Sequence, residues 1–501
     1  MSINVTMKLA PELDPGFLPA ALWNREYRKL VAAAGTKAVV RLAVCLERAN
    51  GTVSRFDTAI LPEEESNDAL NLRYVERIVK FLLWARGGWK VTIGGSAKIA
   101  AGLARLYSAD GERAFDHKVM GRTIYDRDFT VESCAYDAAP AGKEISVKLG
   151  GHFDGCRIGF DLGGSDRKCA AVKDGETVHS EEVVWDPYFQ KDINYHRAGI
   201  IDSLKRAAAK LPRIDAIGGS AAGVYVDNQP RIASLFRGIP EAEFATRVRP
   251  IFLEIAKEFP GVPFIVLNDG EVTALAGAVS LGENGLLGLA MGTSEAVGYV
   301  RPDGSLTDHL NELAFAPVDY RTGADAPRDE WSGDLGVGAS YLSQQAVGRI
   351  AGKAGFDFPA GTPLPEQLKL VQKAMAEHDP RAAAVYRTIG SYLGYALAHY
   401  ADFYELKHLL LLGRVSSGEG GSIILDTARE VLKQEFPELA IGFHIPDEPP
   451  GTGEVDFSIL KRKGHRGFRS FRAKSPIRLY SNCGCAFSFR RSPECRRQIP
   501  F

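Results

Sequence analysis

A mixed α/β chain of two similar strand-rich halves, preceded by a further α/β segment, is the fold class that this sequence predicts. Three observations predict it. Apolar runs of strand character end in glycine turns at Asp161-Leu-Gly163-Gly164-Ser165, at Met291-Gly292-Thr293-Ser294 and at Leu412-Gly413. The apolar run Pro263-Phe-Ile-Val-Leu ends in Asn268 and Asp269, just ahead of an alanine-rich helical stretch. Residues 1–155 carry their own strand and helix signals. Glycine at such turns lets backbone N–H groups approach an anion closely or adopt positive φ, both of which a Cβ resists. Three of them predict one nucleotide cleft.

Length and composition bound the rest. With 501 residues, 45% hydrophobic and 25% charged, the chain can bury several cores in roughly two to four domains. Its first residues lack a basic region followed by a long apolar core, and no later apolar run approaches a membrane span. A cytoplasmic address without a membrane partner is the expectation. Seven cysteines, at 45, 134, 156, 169, 483, 485 and 495, show no paired-ligand spacing in the body and read as reduced thiols. The net charge of −1 hides an asymmetry, because residues 461–501 hold 12 Lys or Arg against the single acid Glu494. The body is therefore mildly acidic and gives no basic face for nucleic acid, which only the tail could supply.

In the leading segment, runs at 38–46 and 53–61 joined through Asn50-Gly51 predict a hairpin. A helical apolar spacing follows over 71–84, then Gly87-Gly88 and a strand from Lys90 into Gly94-Gly95-Ser96. That last turn has too few glycines for a dinucleotide fingerprint and reads as a structural turn. From Cys156 the pattern becomes strand, strand, helix, strand, with a helix from Ile201, a strand from Ile214 and a helix opened by Pro250. A carboxylate where Asp269 stands, at the C-terminal end of a buried parallel strand, faces the crevice where open α/β sheets bind ligands. The second half starts near Gly285, with helices over 341–351 and 382–404 and a last strand from His408. The two halves form a weak internal duplication.

These residues resemble the ROK family of sugar kinases. The likeness rests on Asp161-Leu-Gly-Gly, Asn268-Asp269-Gly, Met291-Gly-Thr and Leu411-Leu-Gly-Arg in that order, and covers roughly residues 156–447. It implies a two-lobed actin-like ATPase fold, ribonuclease H-like in each lobe, with domains at 156–284 and 285–447, an N-terminal α/β extension at 1–155 and a basic tail at 448–501. It implies ATP-dependent phosphorylation of a hexose or aminosugar hydroxyl, with a non-catalytic sugar sensor as the alternative. Asp269 matches the family's catalytic aspartate, a general base toward the sugar; as a plain strand-end residue it would instead cap the next helix. Asp161, Gly163, Gly164, Ser165, Lys168, Gly292, Thr293, Ser294 and Gly413 would hold Mg2+ and the ATP phosphates, and Asn268 and Glu312 would join Asp269 on the sugar. Phosphoryl transfer requires positioning and charge neutralisation above all, which suits such a set. A homodimer is the family's implied assembly.

The departures are specific. Glu312-Leu-Ala-Phe stands where the family carries Glu-x-Gly-His, and no cysteine falls between Cys169 and Cys483, so no structural zinc site is expected. Ser234 replaces a family Asn at the sugar. Glu295 puts an acid beside the second turn, where it must coordinate through Mg2+ or point away from phosphate. The leading segment has no basic recognition helix, which favours a kinase over a repressor. The tail, rich in Arg, Ser and aromatics without helical period, reads as disordered, from a reading-frame change or as an RNA- or membrane-surface tail.

Overall fold

The structure is a computed structural model, and it describes residues 3–35, 38–152 and 154–446. The basic tail lies outside the described residues. Two compact units divide the chain, one formed by Met1–Lys148 with Asn284–Ile445, the other built on Leu149–Glu283. The segment read from the sequence as a separate N-terminal extension thus packs into one body with the second half.

Its elements follow the sequence pattern. Helix α1 (Ala20–Ala34) precedes the hairpin β1 (Val40–Glu47) and β2 (Val53–Ile60), in which Glu47 pairs with Val53. Gly51 takes positive φ in the turn. Helix α2 (Asp68–Arg86) is buried along most of its length and leads to β3 (Lys90–Gly94). Ser96 then caps α3 (Ala97–Leu106) by accepting from the Ile99 N–H, which makes the Gly94-Gly95-Ser96 turn structural. The short α4 (Ala114–Lys118), β4 (Thr130–Cys134) and β5 (Ser146–Val147) complete the segment. The sheet order is β2-β1-β3-β4.

The second unit opens on β6 (Cys156–Leu162), β7 (Asp166–Lys173) and β8 (Glu176–Val184). Helix α5 (Ile193–Ala208), β9 (Ala216–Ala221), the small hairpin β10 (Val224–Val226) and β11 (Gln229–Ile232), the single turn α6 (Glu241–Glu243) and α7 (Ile251–Ala256) follow. Strand β12 (Phe264–Asn268) runs directly into α8 (Asp269–Leu281). The five-stranded sheet has the order β12-β9-β6-β7-β8, with β6-β7-β8 antiparallel and β6-β9-β12 parallel. Alternation along β6 buries Ile158, Phe160 and Leu162 in one core with Ile217 of β9, Val266 of β12 and Leu204 of α5. That face positions the site, because the strand ends it fixes carry the polar residues.

The first unit resumes at β13 (Leu286–Met291), β14 (Glu295–Val300) and β15 (Leu306–Thr307). Strand β15 pairs with β5, tying residues 306–307 to the leading segment. Helices α9 (Gln344–Lys353), α10 (Leu364–Ala376) and α11 (Pro380–Tyr400) precede β16 (His408–Leu412), α12 (Glu419–Glu435) and β17 (Gly442–His444). The sheet order is β14-β13-β16-β17, with β13-β14 antiparallel and β13-β16-β17 parallel. This repeats the plan of β7-β6-β9-β12. Each unit therefore carries the ribonuclease H-like arrangement: a hairpin with a glycine turn, then parallel strands added beside its first strand. The internal duplication is a duplication of topology.

Candidate functional site

At the first turn the pairing of Leu162 with Arg167 closes β6 and β7. The Gly163 N–H donates to the Asp166 carbonyl at 2.9 Å. Trp185 holds the turn from outside, its indole N–H donating to the Gly163 carbonyl at 2.8 Å and its backbone N–H to the Ser165 carbonyl at 3.0 Å. Among the described residues, no protein acceptor meets the N–H groups of Gly164 and Ser165. Two adjacent donors are thus left for an anion. Neither Gly163 nor Gly164 has positive φ, so conformational freedom is not their use. At Gly164 close approach is, since a Cβ there would lie 2.2 Å from the Tyr188 hydroxyl, whereas one on Gly163 would lie 3.1 Å from the Asp166 carbonyl oxygen.

Asp161, Lys168 and Asp269 come together beside this turn. Asp161 pairs in register with Lys168 on β7 and Ser220 on β9. Burial raises its pKa to about 6, against the Ser220 hydrogen bond and the Lys168 charge, and with help from the charges of Asp269 and Asp166. The Lys168 ammonium is itself 3.0 Å from Asp166 Oδ1. Parallel pairing places Ala221 beside Leu162 on one side and beside Asn268 on the other, so three strands end level. Asp269 is the first residue of α8, and burial pushes its carboxyl above the usual range while the Gly270 N–H opposes the shift. Three carboxyls and one lysine leave an excess of negative charge beside the turn; among the described residues, though, the one trio of possible metal ligands that converges is Glu144, Asp308 and His309, which belong to the other unit.

Asn268, expected on the sugar, is the N-cap of α8. Its Oδ1 accepts from the Gly270 N–H and its Nδ2 donates to the Gly223 carbonyl, both at 2.7 Å. The capping role weighed for Asp269 thus falls one residue earlier.

The second turn has the same construction. Met291 pairs with Glu295 to close β13 and β14, and the Gly292 N–H donates to the Ser294 carbonyl at 2.9 Å. The amides of Thr293 and Ser294 meet no protein acceptor among the described residues. Because β16 lies parallel to β13, the third turn arrives beside the second: Gly413 has φ 93°, and a Cβ there would lie 2.6 Å from the Met291 carbonyl oxygen. Glu295 points away from the turn. It is buried, accepts from the Tyr400 hydroxyl at 3.1 Å, and burial raises its pKa to about 8 with Glu312 adding to the shift. Glu312, half-buried, is fixed by its N–H donating to the Trp84 carbonyl at 3.0 Å and lies within electrostatic reach of Glu295.

Sequence reasoning missed Asp166, Ser220, Trp185 and Tyr188 at the first turn. Ser220 had a signal, because a serine ending a strand in Gly-Gly-Ser lands beside Asp161 once the strands pair in parallel. Trp185 and Tyr188 had none, since nothing local ties a loop after β8 to the β6–β7 turn.

Paired ribonuclease H-like sheets with glycine turns at their first hairpins define a protein of the actin-like ATPase fold. The chain is similar to a ROK hexokinase from Thermus thermophilus, at 19% identity over 58% of this chain and 92% of that one with a TM-score of 0.45. It is also similar to a ROK-family transcriptional regulator homologous to the E. coli MLC protein (17%, 58% and 73%, TM-score 0.44). A third likeness is to a ROK-family glucokinase from Streptomyces griseus, whose structure contains glucose and AMPPNP (20%, 58% and 94%, TM-score 0.40). No protein-family model and no curated protein matches the chain.

Proposed function

We propose that the protein is a sugar kinase of the ROK type, transferring the terminal phosphoryl group of ATP to a hydroxyl of a hexose or aminosugar. The observation that carries this reading is the Asp161–Asp269 pair beside a glycine turn with two uncommitted amides. Gly163, Gly164 and Ser165 supply amide donors to the nucleotide phosphates; Gly292, Thr293, Ser294 and Gly413 form turns of the same kind within the other unit. Asp161 would hold Mg2+, with Lys168 beside it. A bound Mg2+ neutralises phosphate charge as it develops.

Asp269 accepts the proton of the attacking sugar hydroxyl at its carboxylate. Its raised pKa suits that task, because a more basic carboxylate takes the proton more readily. Asn268 fixes the start of α8 and so the backbone from which Asp269 projects.

Asp269→Asn tests this directly. Its neutral amide keeps the shape but accepts no proton, so sugar-stimulated ADP release should fall by roughly 10²–10⁴-fold while sugar binding, measured by calorimetry, changes little. Unchanged turnover would remove Asp269 as base. Sugar binding by the unaltered chain without any sugar-stimulated ADP release would instead make it a sensor.

A further inference from the structure

The loop after β8 covers the first glycine turn, and one cation there has no carboxylate. Trp185 anchors this loop through its two hydrogen bonds to the turn. Three residues on, the Tyr188 ring lies over Gly164, closely enough that a Cβ on Gly164 would meet three ring and hydroxyl atoms within 2.5 Å. Arg237 stacks on that ring, its guanidinium carbon 3.9 Å from the Tyr188 centroid and 5.6 Å from that of Phe189. The stack is fixed by backbone contact, because a Cβ on Gly238 would lie 2.4 Å from the Gln190 carbonyl oxygen and 2.9 Å from that of Tyr188.

The charge balance of Arg237 separates it from its neighbours. In the same unit Arg167 pairs with Asp202, Arg206 with Glu181, Arg213 with Asp215 and Arg247 with Glu243. Arg237 is exposed, and among the described residues no carboxylate pairs with it. A guanidinium on an aromatic face is held at little entropic cost with its N–H edge still open, the arrangement that recognises phosphate oxygens. The Tyr188 ring links it to Gly164, whose amide, with that of Ser165, meets no protein acceptor among the described residues.

Resting on the phosphate-turn reading above, we propose that Tyr188 and Arg237 form an anion clamp over the first glycine turn that recognises the terminal phosphate of a nucleoside triphosphate. Arg237 supplies charge to that phosphate, the Tyr188 ring holds the guanidinium in place, and the turn supplies amides.

Calorimetry on the full chain with Mg2+ and either AMPPNP or ADP tests the clamp. Arg237→Gln should weaken AMPPNP binding by roughly 10- to 100-fold, the range for a lost charged hydrogen bond, and leave ADP binding within about threefold. Arg237→Lys should recover part of the loss, and Tyr188→Phe, which keeps the stacked ring, should cost AMPPNP several-fold less than Arg237→Gln. Equal loss of both nucleotides would mean a structural role and overturn the clamp, as would unchanged affinity for both. Absence of nucleotide binding by the unaltered chain would sink the kinase reading along with the clamp. Retained sugar-stimulated turnover with unchanged nucleotide preference in Arg237→Gln would sink the clamp alone.

Discussion

Glu295 illustrates how a residue's chemistry is decided by where its side chain goes. As a charge beside the second turn it would repel phosphate, yet it turns inward to the Tyr400 hydroxyl and lies against Gly338. Its pKa, raised from 4.5 to about 8, makes the folded state bind a proton that the unfolded chain releases. Stability from this group is full below about pH 4.5 and is lost as pH rises toward 8. Thermal unfolding of the protein should accordingly fall across that window, and Glu295→Gln should flatten the slope. Asp269 belongs to the same scale with the opposite consequence for activity. Because only its ionised form accepts a proton, kcat/KM should decline on the acid side with an apparent pKa above the ordinary carboxylate range, a limb that Asp269→Asn abolishes.

Elements explain why the turns stand where they do. Strand β16 adds in parallel to β13, and that register brings Gly413 against the Met291 backbone. Position 413 admits no side chain on two grounds: its φ of 93° with ψ 166° is essentially restricted to glycine, and a Cβ would collide with three backbone atoms at 2.6–2.7 Å. Gly413→Ala should therefore cost about 1–3 kcal/mol from the backbone conformation alone, with the collision adding to it, read as a lower urea midpoint at unchanged slope. Most strands near the site were legible, since β6, β12, β13 and β16 are apolar runs closed by a glycine or by Asn-Asp. Helices α10 and α12 were not singled out, because their amphipathic spacing lies outside the motifs and their faces are defined only by the helix they pack on. Gly163 and Gly164 were assigned partly to positive φ; the hairpin needs none, and the reason for glycine at 164 is the Tyr188 ring, a tertiary neighbour.

On the scale of the whole molecule, the leading segment is part of the first unit. Phe17 packs among Tyr341, Tyr392 and Tyr395, and Asp14, 1% exposed, is ringed by Arg321, Arg349, Lys353 and the Tyr392 hydroxyl. Burial alone would raise the Asp14 carboxyl, but these partners hold it well below its usual range. Asp14→Ala would take one carboxylate from Arg321, which keeps Asp319 and Asp325, and would remove the carboxylate that faces Arg349, so it should destabilise by about 1–3 kcal/mol, measured by denaturant unfolding. The tail makes a separate prediction from composition. If its +11 charge binds nucleic acid, affinity should fall steeply with salt and vanish when residues 461–501 are deleted.

The sequence by itself determined the alternation of strands and helices, the glycine turns and the placing of Asp269 at a strand end, because these follow from local periodicity and from residues that only certain turns accept. Tertiary structure decided which of those residues share a site. Asp161 gained Lys168 through antiparallel pairing of β6 with β7, and Ser220 and Asp269 through parallel pairing of β6, β9 and β12; Glu295 was turned inward, and the leading segment joined the second half. Register and burial depend on contacts between residues far apart in the chain, and no local pattern encodes them.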